Sequence, residues 1–91
     1  MWKLTQTGQF KKDFKKISRD KKKLVALEKV LDELSETGEV SSKYKPHPLI
    51  GNYKGALECH IGNDFLLIWI DEEEQVIKLV RLGSHSELFG K

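Results

Sequence analysis

All three histidines of this 91-residue chain, His47, His60 and His85, fall in its second half. Imidazole is the one side chain whose ordinary pKa lets it give and take protons near neutral pH. Asp64 follows His60 by four residues, and Arg81 and Phe89 flank His85. Proton donors and acceptors beside a cation and an aromatic ring, in a small basic protein, point to acid–base chemistry on a phosphodiester.

His47 stands in Lys45-Pro46-His47-Pro48-Leu49. The prolines fix φ on both sides and bias His47 away from the helical region, so a stiff extended loop holds the imidazole. The plainer reading is an exposed loop histidine. His60 and Asp64 bracket Ile61-Gly62-Asn63. A tight turn there would let the two side chains meet, as base and orienter or as a pair sharing a proton. Alternatively, Asp64 caps the turn with its own side chain. Arg81 shares a strand face with Gly83 by period-two alternation, which puts a guanidinium near His85 and suits bidentate phosphate recognition. Its competing role is an ion pair with Glu58 or with the acids of residues 71–74. Phe89 is either a core plug or a platform on which a base stacks.

Three histidines and an aspartate also match zinc ligands by type. The histidines are thirteen and twenty-five residues apart, which fits no compact ligand motif, so no metal is expected. Cys59 precedes His60, but strand neighbours point to opposite faces, and such a cysteine behaves as a small hydrophobe.

Periodicity supplies the elements that must position these groups. Trp2-Lys3-Leu4-Thr5 alternates as a short strand does. Thr7 can cap a helix whose stripe is Phe10, Phe14 and Ile17, with Lys11, Lys12, Lys15 and Lys16 on the other face. Asp20 can cap a second helix carrying Leu24, Leu27, Leu31 and Leu34, with Val30 flanking, that ends near Gly38. Residues 41–55 hold both prolines and read as loop. Residues 57–60, 65–70 and 76–82 read as strands, the middle one apolar on both faces and so central. After Gly83 the chain is released into a short tail. The order β-α-α-β-β-β gives an α+β fold: a helix hairpin packed on a mostly antiparallel four-stranded sheet, with residues 1–91 as a single domain.

The net charge of +2 conceals an asymmetry. Residues 1–29 carry ten Lys/Arg against three Asp/Glu, whereas residues 30–74 carry three against ten. The basic third, which includes Lys21, Lys22 and Lys23, is either a polyanion-facing surface or a solvated helix face. The longest apolar run, residues 65–70, is too short to span a bilayer, and the start has no apolar stretch of signal-peptide length. One cysteine makes no internal disulfide, which suits a reducing cytoplasm. The expectation is a cytoplasmic protein with no membrane partner.

Thr7-Gly8-Gln9-Phe10-Lys11-Lys12-Asp13 resembles the start of the first helix in the RelE/ParE superfamily of bacterial type II toxins. His47-Pro48-Leu49 with Gly51, Tyr53-Lys54-Gly55, His60, Asp64 and the run Gly83-Ser84-His85-Ser86-Glu87-Leu88-Phe89 narrow the resemblance to the YafQ branch. It covers nearly the whole chain. It implies a RelE-like fold and a ribosome-dependent mRNA interferase, acting on mRNA in the ribosomal A site and neutralised by a cognate antitoxin. It also implies a monomer when free and a higher-order complex with the antitoxin. The family's catalytic histidines would fall on His47, His60 and His85, its acidic residue on Asp64 and its terminal aromatic on Phe89. Where the family often has tryptophan after that aspartate, this chain has Phe65, which can still stack on a base but lacks the indole donor.

Cleavage of RNA without metal or cofactor uses the 2′-OH as nucleophile. One group removes its proton, another protonates the 5′-oxygen, and cations steady the phosphorane. On this reading His85 is the general acid, Asp64 with His60 the general base, and His47 and Arg81 stabilise the phosphate. Phe89 stacks on a base. Which of His60 and Asp64 takes the proton stays open, because coupled groups titrate as a pair. The lysines of both helices would bind ribosomal RNA. The competing expectation is a ParE-like, non-catalytic toxin that inhibits DNA gyrase by binding it, on the same fold without the histidine set.

Overall fold

Capping residues set the helix ends. Thr7 Oγ1 accepts the Phe10 N–H at 3.0 Å and opens α1 (Gly8–Ile17). Asp20 accepts the Lys23 N–H at 3.2 Å and opens α2 (Lys21–Thr37). The second helix stops at Gly38, whose φ is 76° and whose N–H donates to the Leu34 carbonyl at 2.9 Å. A Cβ there would meet the Trp2 indole at 2.6 Å, so glycine is required twice over. The structure is a computed structural model describing residues 1–53 and 55–90.

The buried stripe of α1 differs from the expected one. Phe10, Asp13 and Ile17 are buried, while Phe14 is 37% exposed. The stripe steps by three and then four, which is as helical as the expected spacing but places a carboxylate against the core. In α2, Leu27, Val30 and Leu34 are buried, with Leu24 and Leu31 at the margins.

The strands are β1 (Lys3–Gln6), β2 (His47–Pro48), β3 (Leu57–Gly62), β4 (Phe65–Glu72) and β5 (Val76–Gly83). They lie in the order β1-β5-β4-β3-β2, with β1 parallel to β5 and the other pairs antiparallel. The sheet therefore has five strands, not four. The extra one arises because residues 47 and 48, held extended by the prolines, pair with Glu58 and Leu57.

Strand β4 is central, as its unbroken apolar run requires. Phe65, Leu67 and Trp69 pack with α1 and α2, while Leu66 and Ile68 pack on the opposite face with Ala56 and Leu88. Each such fully buried side chain contributes roughly 1.5–3 kcal/mol. Leu88 lies in α3 (His85–Phe89), a short helix where the sequence suggested only a tail. Ser84 and Glu87 form a reciprocal capping box at its start. Short 3-10 turns at Ser42–Tyr44 and Gly51–Tyr53 occupy parts of the expected loop. Among the described residues, no helix is long and apolar enough to cross a membrane.

Candidate active site

Alternation along β3 builds the first half of the site. Cys59 and Ile61 join the core beneath the helices, which sends Glu58 and His60 to the opposite face. Strand β2 sets His47 directly across from Glu58. Glu58 Oε1 lies 3.1 Å from His47 Nε2 and 3.7 Å from His60 Nε2. Glu58 is buried, so its carboxylate needs such partners. The other nitrogen of His47, Nδ1, sits 3.0 Å from the Lys45 carbonyl. Both ring nitrogens face oxygen acceptors, and a ring carrying both hydrogens satisfies both contacts.

The second half comes from the turn after β3. Asp64 adopts a left-handed conformation there, with φ 51°, which aspartate tolerates better than most residues. Its Oδ1 accepts the His85 backbone N–H and faces His85 Nδ1, both at 2.8 Å. These bonds, the backbone one first, hold the Asp64 carboxyl below the usual carboxylate range. The expected meeting of Asp64 with His60 does not occur. His60 stands within β3 opposite Leu66, whereas Asp64 lies in the turn beyond Gly62 and bonds His85 at the start of α3.

The three imidazoles form a row. Ring centroids are 6.0 Å apart for His47 and His60 and 5.7 Å for His60 and His85. Phe89 extends the row 6.3 Å beyond His85 and meets Tyr53 edge-on at 5.8 Å. Phe89 is partly open to solvent, as a stacking platform must be. Phe65 is not: it is 3% exposed, packs in the core, and has Lys23 Nζ 5.4 Å from its ring centre. The expectation that Phe65 stacks on a base is corrected by its burial.

Arg81 also finds a different partner. Its Nε donates to Asp13 Oδ2 at 2.8 Å and its Nη2 to Asp13 Oδ1 at 3.3 Å, rather than to Glu58 or residues 71–74. Asp13 further accepts the Leu82 N–H at 3.0 Å and the Gln9 amide at 3.1 Å. Burial pushes the Asp13 carboxyl up, but the bonds from Arg81, Leu82 and Gln9 outweigh it and leave it below the usual range. The guanidinium fork is thus occupied on one side; Nη1 reaches Tyr53 Oη at 3.3 Å.

His47, Glu58 and His60 offer ligand atoms that all lie within 4.8 Å of one another. Two imidazoles and a carboxylate suit a borderline divalent ion such as zinc or copper. This grouping differs from the three histidines and aspartate considered from sequence, since His85 and Asp64 are taken up with each other.

Residues 2–90 match the sequence profile of the family described as bacterial toxin of type II toxin–antitoxin system, YafQ. The chain belongs to this family. It is 34% identical over 87 residues to mRNA interferase toxin YafQ of Escherichia coli strain K12, covering 92% of this chain and 91% of that one. The fold agrees with a metal-bound toxin from Helicobacter pylori at a TM-score of 0.84 and 39% identity, over 98% of this chain and all of that one (100%). A chain of the E. coli DinJ–YafQ complex superposes at a TM-score of 0.74 with 30% identity, over 99% of this chain and 100% of that chain.

Two residues of this YafQ-family site escaped the sequence reading. Glu58 precedes His60 by two, and the same alternation that set Cys59 apart from His60 puts Glu58 beside it. Asp13 falls three after Phe10 and four before Ile17, on the core side of α1 by the helical period. In each case the signal was an acidic residue on a face where burial forces it to find a partner.

Proposed function

We propose that this YafQ-family chain is the toxin of a type II pair and a ribosome-dependent endoribonuclease that cuts translated mRNA by 2′-OH attack. One observation carries the reading: two carboxylate–imidazole pairs, Glu58 with His60 and Asp64 with His85, lie side by side with imidazole centroids 5.7 Å apart. A phosphate seated over them touches both rings.

In this reading His60 removes the 2′-OH proton and Glu58 orients it. His85 gives a proton to the 5′-oxygen, through the ring nitrogen not bound to Asp64. Asp64 is a positioning residue rather than the base, because its Oδ1 is already engaged and its carboxyl is held low. His47, flanked by acceptors at both nitrogens, supplies positive charge to the phosphorane. Arg81 adds to the same field from behind Tyr53, and Phe89 stacks on a base next to the cut. Each proton-transfer role is worth about 10²–10⁴-fold. The reaction needs His60 and His85 free to carry protons, so we propose that it runs without a metal. Lys11, Lys12, Lys15, Lys16, Lys21, Lys22 and Lys23 meet RNA on the ribosome. The E. coli YafQ forms a complex with DinJ, and we infer a cognate antitoxin here as well. A gyrase-binding toxin would leave the imidazole row without a task.

The test is primer extension on a defined mRNA, translated in a purified bacterial system. Cuts in register with codons are expected from the wild type and not from His85→Ala. Equal cutting by the two, or intact mRNA with gyrase supercoiling inhibited instead, would refute the reading.

A further inference from the structure

We propose that a basic cleft beside the imidazole row is a track for the single-stranded RNA substrate, leading away from the scissile phosphate past Tyr44. This rests on the reading of the row as a ribonuclease site.

Two open clefts adjoin. One, of about 510 Å³, is lined by Lys43, Tyr44 and Lys45 together with His60, Ile61 and Gly62. The other, of about 500 Å³, is lined by Lys21, Lys22 and Lys29 with Val25, Ala26, Tyr44 and Ile61. Tyr44 and Ile61 belong to both, so the two clefts meet at these side chains, between His60 and the start of α2. Among the described residues, no acidic one lines either cleft. That is informative because residues 30–74 hold ten acids and only three lysines, and two of those lysines, Lys43 and Lys45, stand here. A surface with five lysines, an aromatic ring and no carboxylate attracts a polyanion that also stacks. Charge alone would suit any polyanion; the tyrosine between the lysines favours one with bases.

The loop carrying these groups is tied to the site. Lys45 is held in a left-handed conformation, φ 53° and ψ 54°, with its N–H on the Ser42 carbonyl at 2.9 Å. Its own carbonyl receives His47 Nδ1 at 3.0 Å. The cleft wall and the imidazole row therefore share a hydrogen bond. In the free protein Lys43 Nζ lies 5.2 Å from the Tyr44 ring centre. An exposed contact of that kind is weaker than base–aromatic stacking, so an incoming base displaces the ammonium, which is then free to meet the next phosphate. Lys21 and Lys22 become substrate contacts under this assignment, leaving the lysines of α1 for the ribosome.

The experiment is fluorescence anisotropy with the intact protein and a labelled 2′-O-methyl oligoribonucleotide of about twelve nucleotides, a length matched to such grooves. Tyr44 packs partly on the core, so the pair to compare is Tyr44→Leu, which keeps apolar bulk, and Tyr44→Phe, which keeps the ring. Tyr44→Leu is expected to weaken binding about fivefold or more, with Tyr44→Phe near wild type. Lys43→Gln with Lys45→Gln should flatten the slope of log affinity against log salt by about 1.4, or about 0.7 per lost phosphate contact. No binding by the wild type at low salt, equal binding by the two Tyr44 variants, or equal binding of poly-glutamate would overturn the track. Cutting of translated mRNA and its loss in His85→Ala are measured separately, so the track can fail while the ribonuclease reading stands.

Discussion

One carboxylate oxygen, Oδ1 of Asp64, accepts from both the backbone N–H and the ring Nδ1 of His85, each at 2.8 Å. The two bonds fix the imidazole from both ends of its residue, and because the acceptor is a carboxylate, Nδ1 must be the donor. The remaining ring nitrogen is the one the proposed proton transfer uses. Asp64→Asn keeps the shape and an acceptor but removes the charge that supports a protonated ring. Cleavage of translated mRNA should fall about 10²-fold in kcat with KM little changed. Thermal melting should stay close to wild type, since Asp64 is an exposed turn residue. A loss confined to KM would instead make Asp64 a substrate-binding group.

The two phenylalanines considered for stacking should separate cleanly. Phe89 is partly exposed and 6.3 Å from the His85 ring; Phe65 is buried in the core. Phe89→Leu should raise KM for cleavage about tenfold, the scale of one lost base–aromatic stack. Phe65→Leu, which removes ring volume from the core, should lower stability by about 1–2 kcal/mol, with cleavage of the folded fraction unchanged. Steady-state cleavage and urea unfolding on both variants decide it.

These cases mark where sequence was sufficient. Helix caps at Thr7 and Asp20, the stop at Gly38 and the central β4 are local signals, each carried by one residue type or one unbroken run. The contents of the site depend on register. Alternation puts Glu58 with His60, but the docking of α3 that brings His85 to Asp64 leaves no mark in residue types. Arg81 finds Asp13 because α1 turns its 10-13-17 stripe inward. A stripe through Phe14 fits the helical period equally well, so periodicity alone could not choose between them.

Asp13 and Arg81 tie α1 to β5 through a nearly buried ion pair, with Asp13 3% exposed. Asp13→Ala would strand the Arg81 guanidinium and the Leu82 N–H and should cost about 3 kcal/mol in urea unfolding. The pH dependence has a definite sign. The folded carboxyl titrates below its unfolded value, so the stabilisation is complete above about pH 4 and is lost as pH falls through the folded pKa. Asp13→Asn removes that titration. Its stability should be lower than wild type at neutral pH but decline less steeply on acidification, and parallel acid-unfolding curves would contradict the assignment.

Cys59 is fully buried, and its thiol is pushed up to about 12 by burial first and then by Glu58 and Glu33. A thiol is a poor nucleophile in that state. Labelling by a disulfide reagent at neutral pH should therefore follow global unfolding, accelerating with urea in step with the unfolding rate. Rapid labelling of the native protein would show that β3 opens locally, and with it the platform under His60.

The Glu58 carboxylate lies between His47 and His60, 3.1 Å from one Nε2 and 3.7 Å from the other. A divalent ion held by His47, Glu58 and His60 would take up the carboxylate that orients His60 and place positive charge on a ring that must accept a proton. Metal at this triad should therefore inhibit rather than activate. A chelator selective for zinc and copper that spares Mg²⁺ should leave cleavage of translated mRNA unchanged. Added zinc should suppress it, and Glu58→Gln should bind zinc more weakly, as isothermal titration on the free protein would register. Cleavage abolished by the chelator and restored by zinc would reverse the argument, making the ion the source of the attacking group's activation and His60 its ligand.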